Sequence, residues 1–300
     1  MPTAPTLLVT GASGHLGRAA LDYLLDQAGV PPARLIATTR DPARLQDLAA
    51  RGVQVRAADF DRPQTLDAAF AGADRLLLVS TDSLLEPGQR LRQHREAIDA
   101  AVRAGVGHVV YTSMPKPEPG SPLLFAADHY GTEQALAGSG LAGWTVLRNA
   151  WYFENLFQSL HQVLAGGRWY SAAGEGRIAH IARQDLAEAA AIALASDFAG
   201  TRTLTLTGSE AFTTREIAAL VAATAGKPIE VVDVPVAVLA DGMRQAGLPG
   251  QLPEVFASFD SNTAAGGLAE VTADFQALTG RAPLPYRQWL ERNRQVIAAA

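Results

Sequence analysis

The stretch VTGASGHLG carries a glycine at every third position, directly after a short apolar run. Glycine accepts positive φ values and lets another group approach the main chain closely. Where a strand meets a helix, such glycines are typical of a dinucleotide site, because the helix N-terminus offers free N–H groups to a pyrophosphate. We expect Gly11 to form the turn, Gly14 to admit the phosphate and Gly17 to let the helix pack on the strand. A tight βα turn without a ligand is the alternative.

Two arginines follow the second apolar run, in the stretch IATTRDPAR. An NAD site usually has an acidic residue here for the 2′-hydroxyl of the adenosine ribose, whereas an NADP site uses arginine for the 2′-phosphate. Arg40 and Arg44 therefore favour NADPH, with NADH as a possible cofactor. Asp41 more naturally caps the following helix than binds a ribose. The alternative for the arginines is a pair of solvated side chains.

An amide and three aromatic residues follow a later strand, in the stretch WTVLRNAWYF. Asn149 is a candidate to hydrogen-bond a nicotinamide or a substrate oxygen. Trp151 and Tyr152 are candidates to stack on a flat aromatic acceptor, with Phe153 as a further substrate-binding residue, because acceptor sites are apolar slots with few polar groups. The alternative is that these aromatic residues belong to the cores of the two domains.

Tyr130 and Gln134 lie four residues apart in the stretch ADHYGTEQAL and would share a helix face. In many carbonyl-reducing enzymes, a lysine four residues after such a tyrosine lowers the pKa of the tyrosine for proton transfer. Glutamine cannot supply that cation, so a standard carbonyl-reducing pair is not expected. Tyr130 stays a candidate catalytic residue with Asn149 and Tyr152. His129 is a candidate proton donor and substrate contact, or a structural histidine.

The elements that would position these residues alternate between apolar strands and amphipathic helices. Continuous apolar runs indicate strands buried on both faces, and the alternation predicts a doubly wound parallel sheet of the Rossmann type. We expect an NAD(P)-binding domain over residues 1–150. Residues 151–300 are expected to form mainly a smaller C-terminal α/β substrate-binding or cap domain, from which segments at about 177–207 return to the first domain.

Composition excludes several classes of protein. With a net charge of −5 and a pI near 5.7, the chain lacks the basic footprint of a general nucleic-acid binder. It has no cysteine, and its six histidines show no metal-ligand spacing, so no metal is expected. No secretory signal and no apolar run of roughly 20 residues is visible. We expect a cytoplasmic protein without membrane insertion, as a monomer or homodimer.

Six stretches, spread in order over nearly the whole chain, carry a resemblance to a known family: VTGASGHLG, ATTRDPARL, VRAADFDRPQTLDAAFAGAD, HVVYTS, LRNAWYFENL and VTADFQALTGRAPLPYRQWL. The chain resembles the NmrA-like group of atypical short-chain dehydrogenases, and more narrowly its quinone oxidoreductases and triphenylmethane reductases. The resemblance implies a Rossmann-type domain, a smaller substrate domain, and NADPH as the hydride donor.

The resemblance also implies roles for individual residues. The pyrophosphate would be lined by the glycine turn, the 2′-phosphate would be held by the two arginines, and the adenine edge would be formed by residues of the stretch AADFD. Four further residues end successive strands near the nicotinamide ribose. The residues for the pyrophosphate are Gly11, Ala12, Ser13, Gly14, His15 and Leu16. Those for the 2′-phosphate are Arg40 and Arg44, and those for the adenine edge are Asp59 and Phe60. The residues near the nicotinamide ribose are Ser80, Thr81, Thr112 and Ser113. Asp59 as a helix cap and Ser113 as a backbone-satisfying hydroxyl are the alternatives.

These observations predict an NADPH-dependent oxidoreductase that passes a hydride directly to a quinone-like or other conjugated aromatic acceptor. Such acceptors need little acid–base help, so positioning supplies most of the catalysis. One alternative is an NmrA-like dinucleotide-binding redox sensor without turnover, which the missing lysine suits. Another is a reductase or isomerase of nucleotide sugars, against which the missing Tyr-Lys pair counts.

Overall fold

The computed structural model describes residues 4–300; residues 1–3, with which the expected first domain begins, lie outside the described residues. The first half of the chain alternates strands with helices, as its apolar runs predict. Its elements are β1 (Leu7–Val9), α1 (His15–Asp26), β2 (Leu35–Thr39), α2 (Gln46–Ala50), β3 (Gln54–Ala57), α3 (Leu66–Phe70), β4 (Arg75–Leu78), α4 (Gln89–Arg103), β5 (His108–Ser113), α5 (Ala126–Ala137) and β6 (Gly143–Asn149).

The second half has shorter strands and more helix. Short 3-10 helices lie at Pro32–Arg34, Pro42–Leu45 and Pro63–Thr65 in the first half and at Phe153–Gln158 in the second half. The elements that follow β6 are α6 (Leu160–Gly166), β7 (Arg168–Ser171), β8 (Arg177–Ile178), α7 (Arg183–Ala195), β9 (Thr201–Leu206), β10 (Phe212–Thr213), α8 (Thr214–Ala225), β11 (Glu230–Asp233), α9 (Val236–Gln245), α10 (Leu252–Ala264), α11 (Asp274–Thr279), α12 (Tyr286–Arg292) and α13 (Arg294–Ala299).

Seven strands form one parallel sheet in the order β3-β2-β1-β4-β5-β6-β9. Leu8 of β1 lies opposite Ile36 of β2 on one side and Leu76 of β4 on the other. The strand order therefore reverses direction at β1, which is the switch point where open α/β sheets bind ligands. Every residue of β1, β2, β4 and β5 is buried, as continuous apolar runs predict. The predicted Rossmann-type fold is confirmed.

The chain divides into two compact units. The first unit contains Met1–Met114, Asp128–Arg148 and Leu186–Leu204, and the second contains Pro115–Ala127, Asn149–Asp185 and Thr205–Ala300. From the range 177–207, the first unit takes up Leu186–Leu204, and the division into a cofactor domain and a substrate domain stays a prediction. The sequence analysis does not predict that Pro115–Ala127 belongs to the second unit.

A buried arginine fastens the returning segment to the sheet of the first unit. The guanidinium of Arg75, only 8% exposed, donates to the carbonyl oxygens of Leu194, Phe198 and Ala193 at 2.7, 3.1 and 3.3 Å. These carbonyls end α7 or follow it, where the helix leaves acceptors without partners and its dipole favours a cation. Arg75 therefore caps α7 from within the sheet.

Aromatic packing and a capped helix organise the second unit. Phe153 packs against Tyr286 and Trp289, with ring centroids 4.7 and 5.6 Å apart. Helix α8 begins with a reciprocal capping box between Thr213 and Glu216. It is followed by Gly226, whose φ is +69°, a conformation that favours glycine at a helix C-terminus. Strand β10 pairs with β8 in the antiparallel sense, and β11 pairs with β7 in the parallel sense.

Candidate functional site

The glycine turn has the geometry that its spacing predicts. Gly11 has a φ of +59°, which an L side chain rarely adopts. A Cβ atom on Gly17 would lie 2.6 Å from the carbonyl oxygen of Gly11, so only glycine lets α1 approach the strand end this closely. Gly14 donates its N–H to that same oxygen at 2.9 Å and immediately precedes α1.

The first turn of α1 has no side-chain cap within the described chain. Its N–H groups are therefore available to an anion, which the helix dipole also favours. Ser13 holds the turn to the neighbouring strand through its hydroxyl, 2.9 Å from Thr39 Oγ1. His15 is exposed, whereas Leu16 is buried and can offer a ligand only its main chain.

Arg40 and Arg44 are exposed just beyond the end of β2. The carboxylate of Asp41 accepts the N–H of Ala43 at 3.0 Å, so it caps the 3-10 helix as expected. Neither Arg40 nor Arg44 belongs to an ion pair within residues 4–300. Two guanidinium groups thus remain available to a phosphate dianion at this position.

Asp59 is engaged in its own turn. Its carboxylate accepts from Arg62 Nε at 2.9 Å and from the N–H of Asp61 at 3.1 Å, while its N–H donates to Thr65 Oγ1. This arrangement favours the structural alternative for Asp59. Phe60 packs against the buried cluster of the first unit. A contact of Asp59 and Phe60 with adenine stays a prediction.

The loop after β4 is tied to the end of β5. The N–H of Ser80 donates to Thr112 Oγ1 at 2.8 Å, and Thr112 donates in turn to Ser80 Oγ at 3.3 Å. The hydroxyl oxygen of Thr81 is buried and has no hydrogen-bond partner in the described structure. Since buried polar groups are normally paired, Thr81 is a candidate to bind a ligand.

The hydroxyl of Ser113 has its proton committed to a carboxylate. Ser113 Oγ donates to Glu133 Oε1 at 2.6 Å. Glu133 is held in turn by a fork from Arg148, whose Nε and Nη2 donate to its two oxygens at 3.0 and 2.6 Å. Ser113 can therefore accept a hydrogen bond from a ligand but has no proton left to donate to a carbonyl oxygen.

Tyr130 and Gln134 both lie on α5, and no lysine accompanies them on that helix. Tyr130 is partly exposed and Gln134 is exposed. His129, by contrast, is 4% exposed and contacts Arg90 Nη1 and Tyr111 Oη at 3.1 and 2.7 Å. Burial and the charge of Arg90 lower the pKa of His129 well below its usual value. The position of His129 favours a structural role, and its proposed substrate contact is not supported by this geometry.

Asn149 ends β6 with a buried amide that has no partner among the described residues. The residue is 6% exposed, and neither its Oδ1 nor its Nδ2 has a hydrogen-bond partner in the described chain. Leaving such a group unpaired costs about 1–3 kcal/mol of stability for each donor or acceptor. The cost is offset when a ligand satisfies the amide, so Asn149 fits its predicted role of binding a cofactor or substrate oxygen.

The three aromatic residues after Asn149 have different surroundings in the second unit. Trp151 is half-buried, with its ring centroid 3.9 Å from that of Phe259 on α10. Tyr152 lies beneath the guanidinium of Arg183 at 5.5 Å. Phe153 is 2% exposed inside the aromatic core, which favours the packing alternative for this residue. Phe259 was not among the sequence candidates, because nothing in its Gly- and Pro-rich surroundings distinguishes it.

The sheet topology, the glycine turn and the two arginines beyond β2 together define a Rossmann-type dinucleotide-binding protein. The family model for the NmrA-like family matches residues 3–279, and the chain belongs to this family. Within residues 4–300, no group of three or more His, Cys, Asp or Glu side chains could hold a metal ion. No helix in that range has the length and apolar character of a membrane span.

The chain is similar to characterised reductases over nearly its full length. It is 36% identical to quinone oxidoreductase 2 of Escherichia coli over 274 residues, covering 91% of this chain and 93% of the relative. A crystal structure of an NADPH-dependent quinone oxidoreductase from Escherichia coli with NADPH has a TM-score of 0.89 at 35% identity, covering 95% and 99% of the two chains. The Citrobacter sp. triphenylmethane reductase with NADP(H) has a TM-score of 0.87 at 30% identity, also covering 95% and 99%.

Proposed function

We propose that this protein is an NADPH-dependent reductase of quinone-like or other conjugated aromatic acceptors. The unpartnered buried amide of Asn149 carries the proposal, because it marks a polar group prepared for a ligand at the end of β6. The similarity to quinone and triphenylmethane reductases supports the same acceptor class.

The residues present fit NADPH. The pyrophosphate would be held at the first turn of α1, where Gly14 carries no side chain and no cap occupies the N–H groups. The 2′-phosphate would be held by Arg40 and Arg44, and the nicotinamide ribose by Thr81, whose buried hydroxyl lacks a partner within the described residues. NADPH, when bound, supplies the hydride that the acceptor takes up.

The acceptor class is inferred from the lack of a lysine-assisted acid among the described candidate residues. Tyr130 has no lysine four residues later, and the Ser113 proton is directed to Glu133. Without a cation-assisted acid, a simple ketone would be reduced poorly, whereas a quinone or a dye cation accepts a hydride without concerted protonation. We infer that the oxygen of the reduced quinone takes its proton from water. Trp151 and Tyr152 bind the flat face of the acceptor through ring contacts.

The test follows NADPH oxidation at 340 nm with purified protein, a panel of quinones and a simple ketone, with NADH in parallel. We expect turnover of quinones with a preference for NADPH and none of the ketone. Tight NADPH binding without turnover of any acceptor would instead support a redox sensor.

Asn149→Leu separates the role of the amide from its contribution to folding. Removing an unpaired buried amide should leave the free energy of unfolding unchanged or raise it by about 1 kcal/mol. The kcat/KM for quinone should fall about tenfold or more, a loss of about 1.4 kcal/mol. Unchanged turnover in a stabilised variant would contradict the assignment of Asn149. Cytoplasmic location and a monomeric or homodimeric state stay predictions.

A further inference from the structure

A chain of buried hydrogen bonds joins the loop after β4 to α5 in the first unit. The N–H of Thr81 donates to Nε2 of His94 at 3.0 Å. An imidazole that accepts at Nε2 carries its proton on Nδ1, and Nδ1 of His94 lies 3.0 Å from Thr132 Oγ1. Thr132 donates its own proton to the carbonyl oxygen of Asp128 at 2.7 Å, so it accepts from His94. The network therefore assigns His94 as the neutral Nδ1–H tautomer.

A second histidine, His129, hydrogen-bonds to Tyr111, which in turn packs against His94. The guanidinium of Arg90 has only donors, so Nε2 of His129, 3.1 Å away, accepts and Nδ1–H donates to Tyr111 Oη at 2.7 Å. Tyr111 also lies against His94, with ring centroids 5.3 Å apart. Burial, with a smaller contribution from the charge of Arg90, lowers the pKa of His94 to about 3. The imidazole that accepts the Thr81 N–H is thus neutral at physiological pH.

Two consecutive N–H groups of the loop after β4 are held by side chains. Thr112 accepts from Ser80, and His94 accepts from Thr81, while the hydroxyl oxygen of Thr81 is buried without a partner in the described chain. We propose that His94 is a positioning residue for the NADPH-binding edge, holding the loop so that the Thr81 hydroxyl meets the ribose of the nicotinamide half. This inference rests on the proposed function.

His108 is a matched control within the same unit. It is also a buried histidine, with Nε2 at 3.0 Å from Thr145 Oγ1, and burial lowers its pKa to about 4. It begins β5, however, and so lies at the amino edge of the sheet, opposite the edge where ligands bind. Replacing His108 perturbs the interior without touching the loop after β4.

The experiment compares His94→Leu, His94→Gln and His108→Leu. The Kd for NADPH is measured by cofactor fluorescence without acceptor, and the exchange rate of the Thr81 amide is measured by NMR. We expect H94L to raise the Kd for NADPH about tenfold, which corresponds to the loss of one interaction of about 1.4 kcal/mol. We also expect H94L to speed the exchange of the Thr81 amide. H94Q, which keeps an acceptor oxygen and a donor, should stay within about threefold, and H108L within about twofold.

The outcomes separate this inference from the proposed function. Failure of the wild-type protein to bind NADPH overturns the proposed function, whereas the Thr81 amide tests the positioning role without any cofactor. A Thr81 amide that exchanges at the wild-type rate in H94L, or equal loss of NADPH affinity in H108L, overturns the positioning role. If H94L does not fold, the ¹⁵N spectrum of the wild-type imidazoles decides, because a His94 ring protonated at Nε2 contradicts the network.

Discussion

The two units bury different kinds of side chain beside their candidate binding residues. In the first unit, His94, Tyr111 and Thr132 form a directional hydrogen-bond network. In the second unit, Phe153 packs by ring contacts against Tyr286 and Trp289, and its own side chain has no donor or acceptor to satisfy. A polar network fixes individual backbone atoms, because each member must keep its partner, whereas apolar packing tolerates substitutions that conserve volume. Cofactor binding should therefore be sensitive to single atoms, and acceptor binding to the size of a ring.

The largest expected effect is the response of two helical glycines to the same substitution. Gly17→Ala places a Cβ atom 2.6 Å from the Gly11 carbonyl, so α1 must move away from the strand end. We expect a loss of about 2–3 kcal/mol of stability and NADPH binding weakened about a hundredfold, measured by denaturation and cofactor fluorescence.

Gly242→Ala is the control in the second unit. Gly242 lies inside α9, and a Cβ atom there would meet nothing within 4 Å. Alanine should stabilise this helix by about 0.5–1 kcal/mol and leave NADPH binding unchanged. Equal effects of both substitutions on NADPH would remove the contrast between the two units.

The next effect concerns a single charge in the first unit. Arg40→Ala removes an exposed guanidinium that we assign to the 2′-phosphate. We expect a loss of about 2 kcal/mol of binding free energy, which raises the Kd for NADPH about thirtyfold. The Kd for NADH should change less than about threefold, because NADH lacks that phosphate. Arg95→Ala, an exposed arginine on α4, controls for the change in net charge. Parallel losses for both cofactors would show that Arg40 does not distinguish them.

The sequence predicts the parts of the first unit that depend on local chemistry. Buried strands such as Leu35–Thr39 are visible as apolar runs, and the glycine turn is visible because its φ and close approach require glycine at fixed spacing. The family resemblance is confirmed by the family match over residues 3–279. The excursion Pro115–Ala127 is not predictable in this way, since its unit is decided by contacts with residues far along the chain.

The same limit applies to the candidate site. Asn149 is a candidate in the sequence, but only the structure shows that its amide has no partner within residues 4–300. His94 and His129 look alike in sequence, and three-dimensional packing alone reveals that His94 holds the N–H of Thr81. Phe259 reaches Trp151 from α10, a helix more than a hundred residues away in the chain, and no spacing rule connects the two. Pairings between distant segments carry the information that the motifs lack.

A smaller effect is expected at the aromatic face of the second unit. Trp151→Ala removes a ring packed on Phe259 and should raise the KM for quinone about tenfold, since an aromatic pair contributes about 0.5–1.5 kcal/mol beyond its buried area. The Kd for NADPH should stay unchanged. Trp169→Ala, at a half-buried tryptophan on β7, should lower stability without changing the KM for quinone. An unchanged KM in W151A would return Trp151 to a packing role.

The smallest expected effect concerns proton transfer to the acceptor. Tyr130→Phe removes a hydroxyl that has no lysine four residues later, while the Ser113 proton stays directed to Glu133. If the acceptor needs no protein acid, kcat for quinone should stay within about threefold of wild type, because a general acid typically contributes about a hundredfold or more. A hundredfold loss of kcat with unchanged Kd for NADPH would make Tyr130 the acid. The reductase would then depend on an atom of the first unit for proton transfer as well as for cofactor binding.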